Sequence, residues 1–314
     1  MISILSIDGG GIRGLIPATY LVEMEKRLGR PICQLFDLIA GTSTGGIIAA
    51  TLTLADGHGQ PKYTAEQIVA AYMENGPAVF HRSGLRHVLT LGGLTRPKYS
   101  PHSLDMMLER YLGTKRLHST LTEILVTAYD MASATPWFFK TSFAQKHHTA
   151  VDDPLLTQVV RATTAAPTYF PPLPLAGHCL VDGGVFASNP GLCAYAQARK
   201  TYPGEQDVFI VSLGTGLLTH NRPCAKIYNW GIIDWAVPIS DIMLNASSAT
   251  VDYQLQALVG RENYARFQVQ LPPESAAMDD ASEENMQRLV ALAESSIRQQ
   301  KASLDRVCDV LSRR

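Results

Sequence analysis

The chain has 314 residues, 46% hydrophobic and 18% charged, with a net charge of −1. That balance allows a substantial buried core and excludes the basic excess of a protein that binds nucleic acid polymers. No run of 18 or more apolar residues marks a spanning helix, and the five cysteines (Cys33, Cys179, Cys193, Cys224, Cys308) contain no C-x-x-C pair, which argues against a disulfide framework or a zinc site.

Residues Ile2–Ile7 read as a strand that runs into Asp8-Gly9-Gly10-Gly11-Ile12-Arg13-Gly14, with a helix from about Leu15 to Leu28. A strand so close to the N-terminus leaves no room for a cleavable signal peptide, and with the unpaired thiols this leads us to expect a cytoplasmic protein. Gly9, Gly11 and Gly14 satisfy G-x-G-x-x-G, a dinucleotide-binding fingerprint. That use also needs an acid near the end of the second strand, and the only acid of strand 36–40, Asp37, lies at its other end. The second use of such a loop is to aim backbone N–H groups at an anion.

Gly41-Thr42-Ser43-Thr44-Gly45 lies between strand 36–40 and a helix over 46–52. G-x-S-x-G in that setting is a nucleophile elbow, in which the serine occupies a strained turn and glycine on either side removes colliding Cβ atoms. If strands one and two are parallel neighbours, Ser43 meets the first loop at the sheet's carboxyl edge. The Gly10 and Gly11 amides would then form an oxyanion hole. Arg13 would hold the loop or add positive potential.

Further along, 56–62 is a surface loop, and Thr64 with Gln67 forms a capping box opening a helix through about Asn75. Residues 76–101 read as irregular, mixing Val88, Leu89 and Leu91 with Arg82, Arg86, His87, Arg96 and Lys98; this suits a lid meeting an anionic lipid surface. A short helix over 103–112 precedes a strand over 124–130, paired with 137–141 as a hairpin. A helix over 154–163 gives way to a Pro-rich wall at 165–172. A brief strand, 179–181, ends in Asp182-Gly183-Gly184, and Ser188-Asn189-Pro190 opens the next helix. Strand 208–213 is closed by Gly214-Thr215-Gly216, and 217–227 reads as loop. Residues 230–259 are unusually apolar, with a helix over 240–259 as core or pocket wall. An amphipathic helical tail over 281–313 is polar enough to lie on the surface. With no repeat and no linker, 1–314 is a single domain. It divides into a catalytic core at about 2–260 and a C-terminal helical segment, 261–314, with scope for regulation.

A serine nucleophile needs a base. Histidine is the default partner, and His220 is the one late histidine in a loop after a strand; His147, His148 and His178 precede Asp182. Asp182 offers another solution, because two following glycines permit close approach to Ser43. A free aspartate has a pKa of ~3.9, but partial desolvation raises it. Asp182 can also be read as a turn residue, since Asp-Gly is a common turn pair.

Asp-Gly-Gly-Gly-Ile-Arg-Gly at 8–14, Gly-Thr-Ser-Thr-Gly at 41–45 and Asp-Gly-Gly at 182–184, in that order, resemble the patatin-like phospholipase family. The blocks at 161–170 and 212–216 add to the likeness, which covers about 2–216 and, more loosely, 230–259. The resemblance implies an α/β fold of three α/β/α layers around a central, mostly parallel sheet. It implies fatty-acyl ester hydrolysis of the phospholipase A type, acting on phospholipid or other lipid esters in transient contact with a membrane surface. It carries Ser43 over as nucleophile, Asp182 as base, Gly10 and Gly11 as oxyanion donors, and Gly9, Arg13, Gly14, Gly41, Gly45, Gly183 and Gly184 as support. No metal or cofactor is required. Some bacterial members of this size are antiphage effectors switched on by cyclic nucleotides, so a bacterial source and a cyclic-nucleotide activator are further expectations. The rival readings are an acyltransferase or thioesterase using the same acyl-enzyme, and a non-enzyme holding a nucleotide on the Gly9–Gly14 loop.

Overall fold

Strand β1 (Ile2–Ile7) is buried on both faces, and its alternating side chains enter two separate cores. Leu5 and Ile7 join one apolar cluster, while Ile2 and Ile4 join the other. A strand apolar on both sides belongs in the middle of a covered parallel sheet, and β1 lies there. It pairs in parallel with β2 (Leu38–Thr42) and with β7 (Val208–Leu213). We describe residues 1–81, 96–218, 223–236 and 238–314 of a computed structural model.

The remaining strands are β3 (Glu123–Asp130), β4 (Thr135–Lys140), β5 (Leu173–Leu175), β6 (His178–Asp182) and β8 (Tyr264–Phe267). Hydrogen-bonded neighbours form the series β5-β6-β3-β2-β1-β7-β8, with β4 also paired to β3. One face is covered by α1 (Leu15–Leu28), α2 (Thr44–Leu52), α3 (Ala65–Val79), α4 (His102–Leu112) and α5 (Leu156–Thr163), which contribute Leu15, Ile48, Ile68, Leu108 and Val159 to the larger core. On the other face, α6 (Gly191–Thr201) contributes Ala194 and Ala198 to the smaller core. The short α7 (Ile232–Ala236) precedes α8 (Pro238–Val259), whose Leu255 joins the same core. The expected three-layer α/β/α arrangement is the one observed.

The edges of β3 decide where the site falls. β4 pairs antiparallel with Leu125 to Asp130 and so occupies one edge. β2 pairs with Glu123 to Thr127 and β6 with Ala128 to Asp130. A strand has only two hydrogen-bonding edges, so β2 and β6 must share the other, arriving from opposite directions. They abut where Thr42 lies beside Thr127 and Asp182 beside Ala128.

Several element boundaries differ from the sequence reading. β2 runs to Thr42 and α2 begins at Thr44, so Ser43 alone makes the turn. Helix α3 continues through Pro77 to Val79; its capping box at Thr64 and Gln67 is present. The Pro-rich wall contains β5, and the expected helical segment 261–314 opens instead on strand β8, paired with β7. Most of the expected lid, including Arg82, Arg86 and His87, lies outside the described residues. The tail is two helices, α9 (Glu283–Gln299) and α10 (Lys301–Ser312), broken at Gln300, and not one. It is also not merely superficial: Met286, Leu289, Leu304 and Leu311 are buried in the larger core. We expect Leu289→Ala to cost about 2–5 kcal/mol of stability, measured by denaturant unfolding; an unchanged midpoint would make the tail an appendage.

Candidate active site

Ser43 sits between β2 and α2 with φ 54° and ψ −120°, a strained conformation for a residue with a side chain. The two flanking glycines make the turn possible. A Cβ on Gly45 would stand 2.2 Å from the Ile7 carbonyl oxygen, and one on Gly41 2.2 Å from that of Gly45. Backbone atoms of strand and helix therefore close directly on each other. The Ser43 N–H donates to Thr163 Oγ1 at 2.8 Å, and the chain is pinned in its unusual geometry from the C-terminal end of α5.

Asp182 ends β6 and is buried. Its carboxylate accepts the Gly184 N–H at 2.7 Å and faces the Ser43 side chain, whose nearness favours the ionised form. Burial pushes this carboxyl up to about 6, and Ser43 and the Gly184 N–H only partly oppose the rise. The serine and aspartate expected to act together are thus neighbours lining one cavity. Gly183 packs on Thr127, where a Cβ would meet the threonine Oγ1 at 2.2 Å.

The glycine loop lies against the same serine, since a Cβ on Gly9 would be 3.4 Å from the Ser43 Cβ. Gly10 and Gly11 open the helical turn that leads into α1. The first N–H groups of such a turn have no acceptor within it. Gly11 has φ +60°, and a Cβ there would meet the Met278 carbonyl oxygen at 2.1 Å. Arg13 holds the loop, donating through Nε to the Gly10 carbonyl at 3.3 Å and through Nη1 to that of Ala276 at 3.2 Å. Gly14 gives Thr44 room, a Cβ there falling 2.2 Å from its Oγ1.

These loops are tied to one another. The Gly9 N–H donates to the Ser188 carbonyl at 2.9 Å, Thr42 Oγ1 to the Ala187 carbonyl at 2.7 Å, and Thr215 Oγ1 to the Gly9 carbonyl at 2.6 Å. The loop after β6 is thereby bonded to both the glycine loop and the elbow. Sequence reasoning missed Thr163, Thr215, Met278 and a buried ion pair. Asp8, just before the glycines, is held by both terminal nitrogens of Arg266 at 2.9 and 2.6 Å. Ser212 and Ser248 complete this network. The polar run Asp8-Gly9 following a strand was its only sequence sign; Arg266 lies in a strand too short to announce itself.

Ser43, Asp182, Gly10 and Gly11 line one cavity of about 910 Å³ whose walls are largely apolar, including Ile47, Phe80, Leu108, Phe170 and Leu244. Among the described residues no histidine lines it. His178 bonds Asp130 at 2.9 Å, about 13 Å from Asp182 along β6. His147 lies on Phe143, and His148 beside His118. His220 is outside the described residues.

A covered parallel sheet with a deep apolar cavity over a strand–helix elbow is the architecture of a lipid acyl hydrolase. The family comparison makes this specific: a family model described as patatin-like phospholipase matches residues 5–192. Patatin-like protein 2 of Oryza sativa subsp. indica is 34% identical, the match covering 94% of this chain and 83% of that protein. Patatin-17 of Solanum cardiophyllum is 32% identical over 95% of this chain and 84% of its own. A Solanum tuberosum protein named probable inactive patatin-3-Kuras 1 is 33% identical, over 95% and 87%. The chain belongs to the patatin-like phospholipase family, and lipid acyl hydrolysis is the activity that membership supports.

Thr163→Val removes the acceptor for the Ser43 N–H while keeping the side chain's shape. We expect a stability loss of about 1–3 kcal/mol, read by thermal unfolding, together with a fall in turnover because the elbow is less well held.

Proposed function

We propose that this protein cleaves fatty-acyl esters of phospholipids with Ser43 as nucleophile and Asp182 as its base. The observation that carries the reading is a strained elbow serine placed beside a buried carboxyl, inside a largely apolar cavity. Ser43 Oγ attacks the ester carbonyl while Asp182 takes its proton. The tetrahedral oxyanion is held by the Gly10 and Gly11 amides, which are fixed in advance by Arg13, Thr215 and Met278. Asp182 then gives the proton to the departing glycerol oxygen. In the second half it takes a proton from water, which attacks the acyl-enzyme and releases the fatty acid.

A carboxyl raised to about 6 suits this exchange, because a base titrating near working pH both accepts and returns a proton. The walls of Ile47, Leu108 and Phe170 fit an acyl chain, and their low polarity is what raises Asp182. The same apolar surroundings serve substrate and base together.

We expect Ser43→Ala and Asp182→Asn each to lower turnover of a fluorogenic phospholipid by roughly 10³-fold or more. The wild-type kcat/KM falls on the acid side with an apparent pKa near 6, as Asp182 becomes protonated. Activity surviving in Asp182→Asn, or an acid limb near 4, would remove Asp182 from this role.

Stability gives an independent reading. The folded-state pKa lies above the ordinary 3.8, so the fold binds this proton more tightly than the unfolded chain does. Stability is therefore lost as pH rises from about 4 through 6, by about 3 kcal/mol at neutral pH. Asparagine keeps an acceptor for the Gly184 N–H without the buried charge. Asp182→Asn should thus melt higher than wild type at pH 7, with the difference vanishing near pH 4.

A further inference from the structure

Helix α8 carries apolar residues on its outward side as well as on its inward one. Its 22 residues expose Ile239, Ile242, Met243, Ala246, Tyr253 and Ala257, which follow the three- and four-residue spacing of one helix face. Tyr253 is 75% and Met243 59% accessible. The opposite side buries Leu255 and also turns serines inward. Ser248 Oγ donates to Asp8 at 3.1 Å, and Ser247 Oγ to the Phe186 carbonyl at 3.3 Å. The preceding helix α7 extends the outward apolar surface with Ile232, 90% accessible, and Trp235. Contiguous apolar surface of this kind marks a place where something docks.

Two features indicate what docks there. The stripe is continuous with the cavity that holds Ser43, because Met243 and Ala249 are both exposed and line that cavity, as is Val185 on its other side. An acyl chain can therefore pass from an apolar phase resting on α8 into the cavity beside exposed apolar residues. The two helices also carry no cation of their own: from Ile232 to Val259 the sequence has no lysine or arginine and has Asp234, Asp241 and Asp252. A face that gathered anionic lipid would carry basic residues beside its apolar ones.

From this we infer that α7 and the outward stripe of α8 are the membrane-docking face, and that it settles by apolar contact on a zwitterionic lipid surface without needing anionic head groups. The inference rests on the lipid-hydrolase reading and deepens it, by placing the face that meets the bilayer and the head-group charge it accepts. No described helix is long and apolar enough to cross a membrane, so the contact is that of a helix lying in the interface.

The test floats the full chain carrying Ser43→Ala, which leaves vesicles intact, with vesicles of phosphatidylcholine alone and with vesicles enriched in phosphatidylserine. We expect binding to phosphatidylcholine alone, retained in added salt and raised by less than about threefold by phosphatidylserine. Adding Ile239→Glu and Ile242→Glu should weaken vesicle binding at least about 10-fold. In the chain with Ser43 intact, the same pair should leave cleavage of a soluble p-nitrophenyl ester within about twofold of wild type. Flotation unchanged by the pair overturns the proposal, as does binding that needs phosphatidylserine and disappears in salt. Light scattering that shows a wild-type dimer split by the pair, with vesicle binding intact, would assign the face to a second copy of the chain instead. Flotation does not depend on turnover, so a chain that floats but cleaves neither lipid nor ester would defeat the hydrolase reading and leave the docking face standing.

Discussion

A β-strand offers two hydrogen-bonding edges, and the way β3 uses its own sets the position of everything in the site. With β4 on one edge, β2 and β6 must divide the other and meet head to head. Ser43 is the first residue past the end of β2, and Asp182 is the last of β6. Two side chains far apart in sequence are thus brought together by sheet pairing before any side-chain contact is made. The junction is then secured locally, since Thr42 bonds both Thr127 and the Ala187 carbonyl. A site held this way draws its geometry from the middle of the sheet, its stiffest part, and not from mobile loop tips.

The same neighbourhood gives two buried aspartates different partners. Asp8 is buried but gripped by the guanidinium of Arg266 at 2.9 and 2.6 Å, with Ser248 beside it. Burial raises its carboxyl too, while Arg266 and Ser248 oppose that rise and hold it in an ion pair. Asp182 is met instead by Ser43 and one backbone N–H, and burial lifts its carboxyl to about 6. The paired aspartate sits at the root of the glycine loop and holds it against β7 and β8 through Ser212 and Arg266. What surrounds each of two identical functional groups thus separates a paired carboxylate from the one proposed to move a proton.

Much of this was readable in the residues. The elbow, the glycine loop and Asp182 each carry a local backbone requirement, a strained turn or a close approach, that only certain residues satisfy, so they leave marks over five to seven positions. The parts that were missed have no such local signature. Thr163 acts through one hydroxyl at the end of a helix, and its role exists only because α5 ends beside the elbow. β8 is four residues long, and its Arg266 interrupts an apolar pattern; the arginine makes sense only beside Asp8, on the opposite side of β7. Met278 contributes a carbonyl oxygen, which no side-chain pattern records. The tail looked superficial because its polar residues outnumber its apolar ones, yet the apolar minority is aligned and buried against α1. Its break at Gln300 carries neither glycine nor proline, the usual stop signals.

Helix α8 shows why its apolar character in sequence was ambiguous. Read alone, a long stretch rich in Ile, Leu and Met belongs in a core, and one turn of α8 does enter it through Leu255. But the helix passes over the Asp8–Arg266 network, and that buried ion pair requires polar company: Ser248 must face inward to satisfy Asp8. With serines placed among its inward residues, Leu255 and Val251 still pack on the core, and the exposed apolar residues take the outward side. Exposing them is unfavourable for a molecule alone in water. It ceases to be unfavourable when that side meets the apolar phase containing the substrate. The charge pair that steadies the glycine loop and the surface that would meet the lipid are therefore two faces of one helix, and a change to either constrains the other.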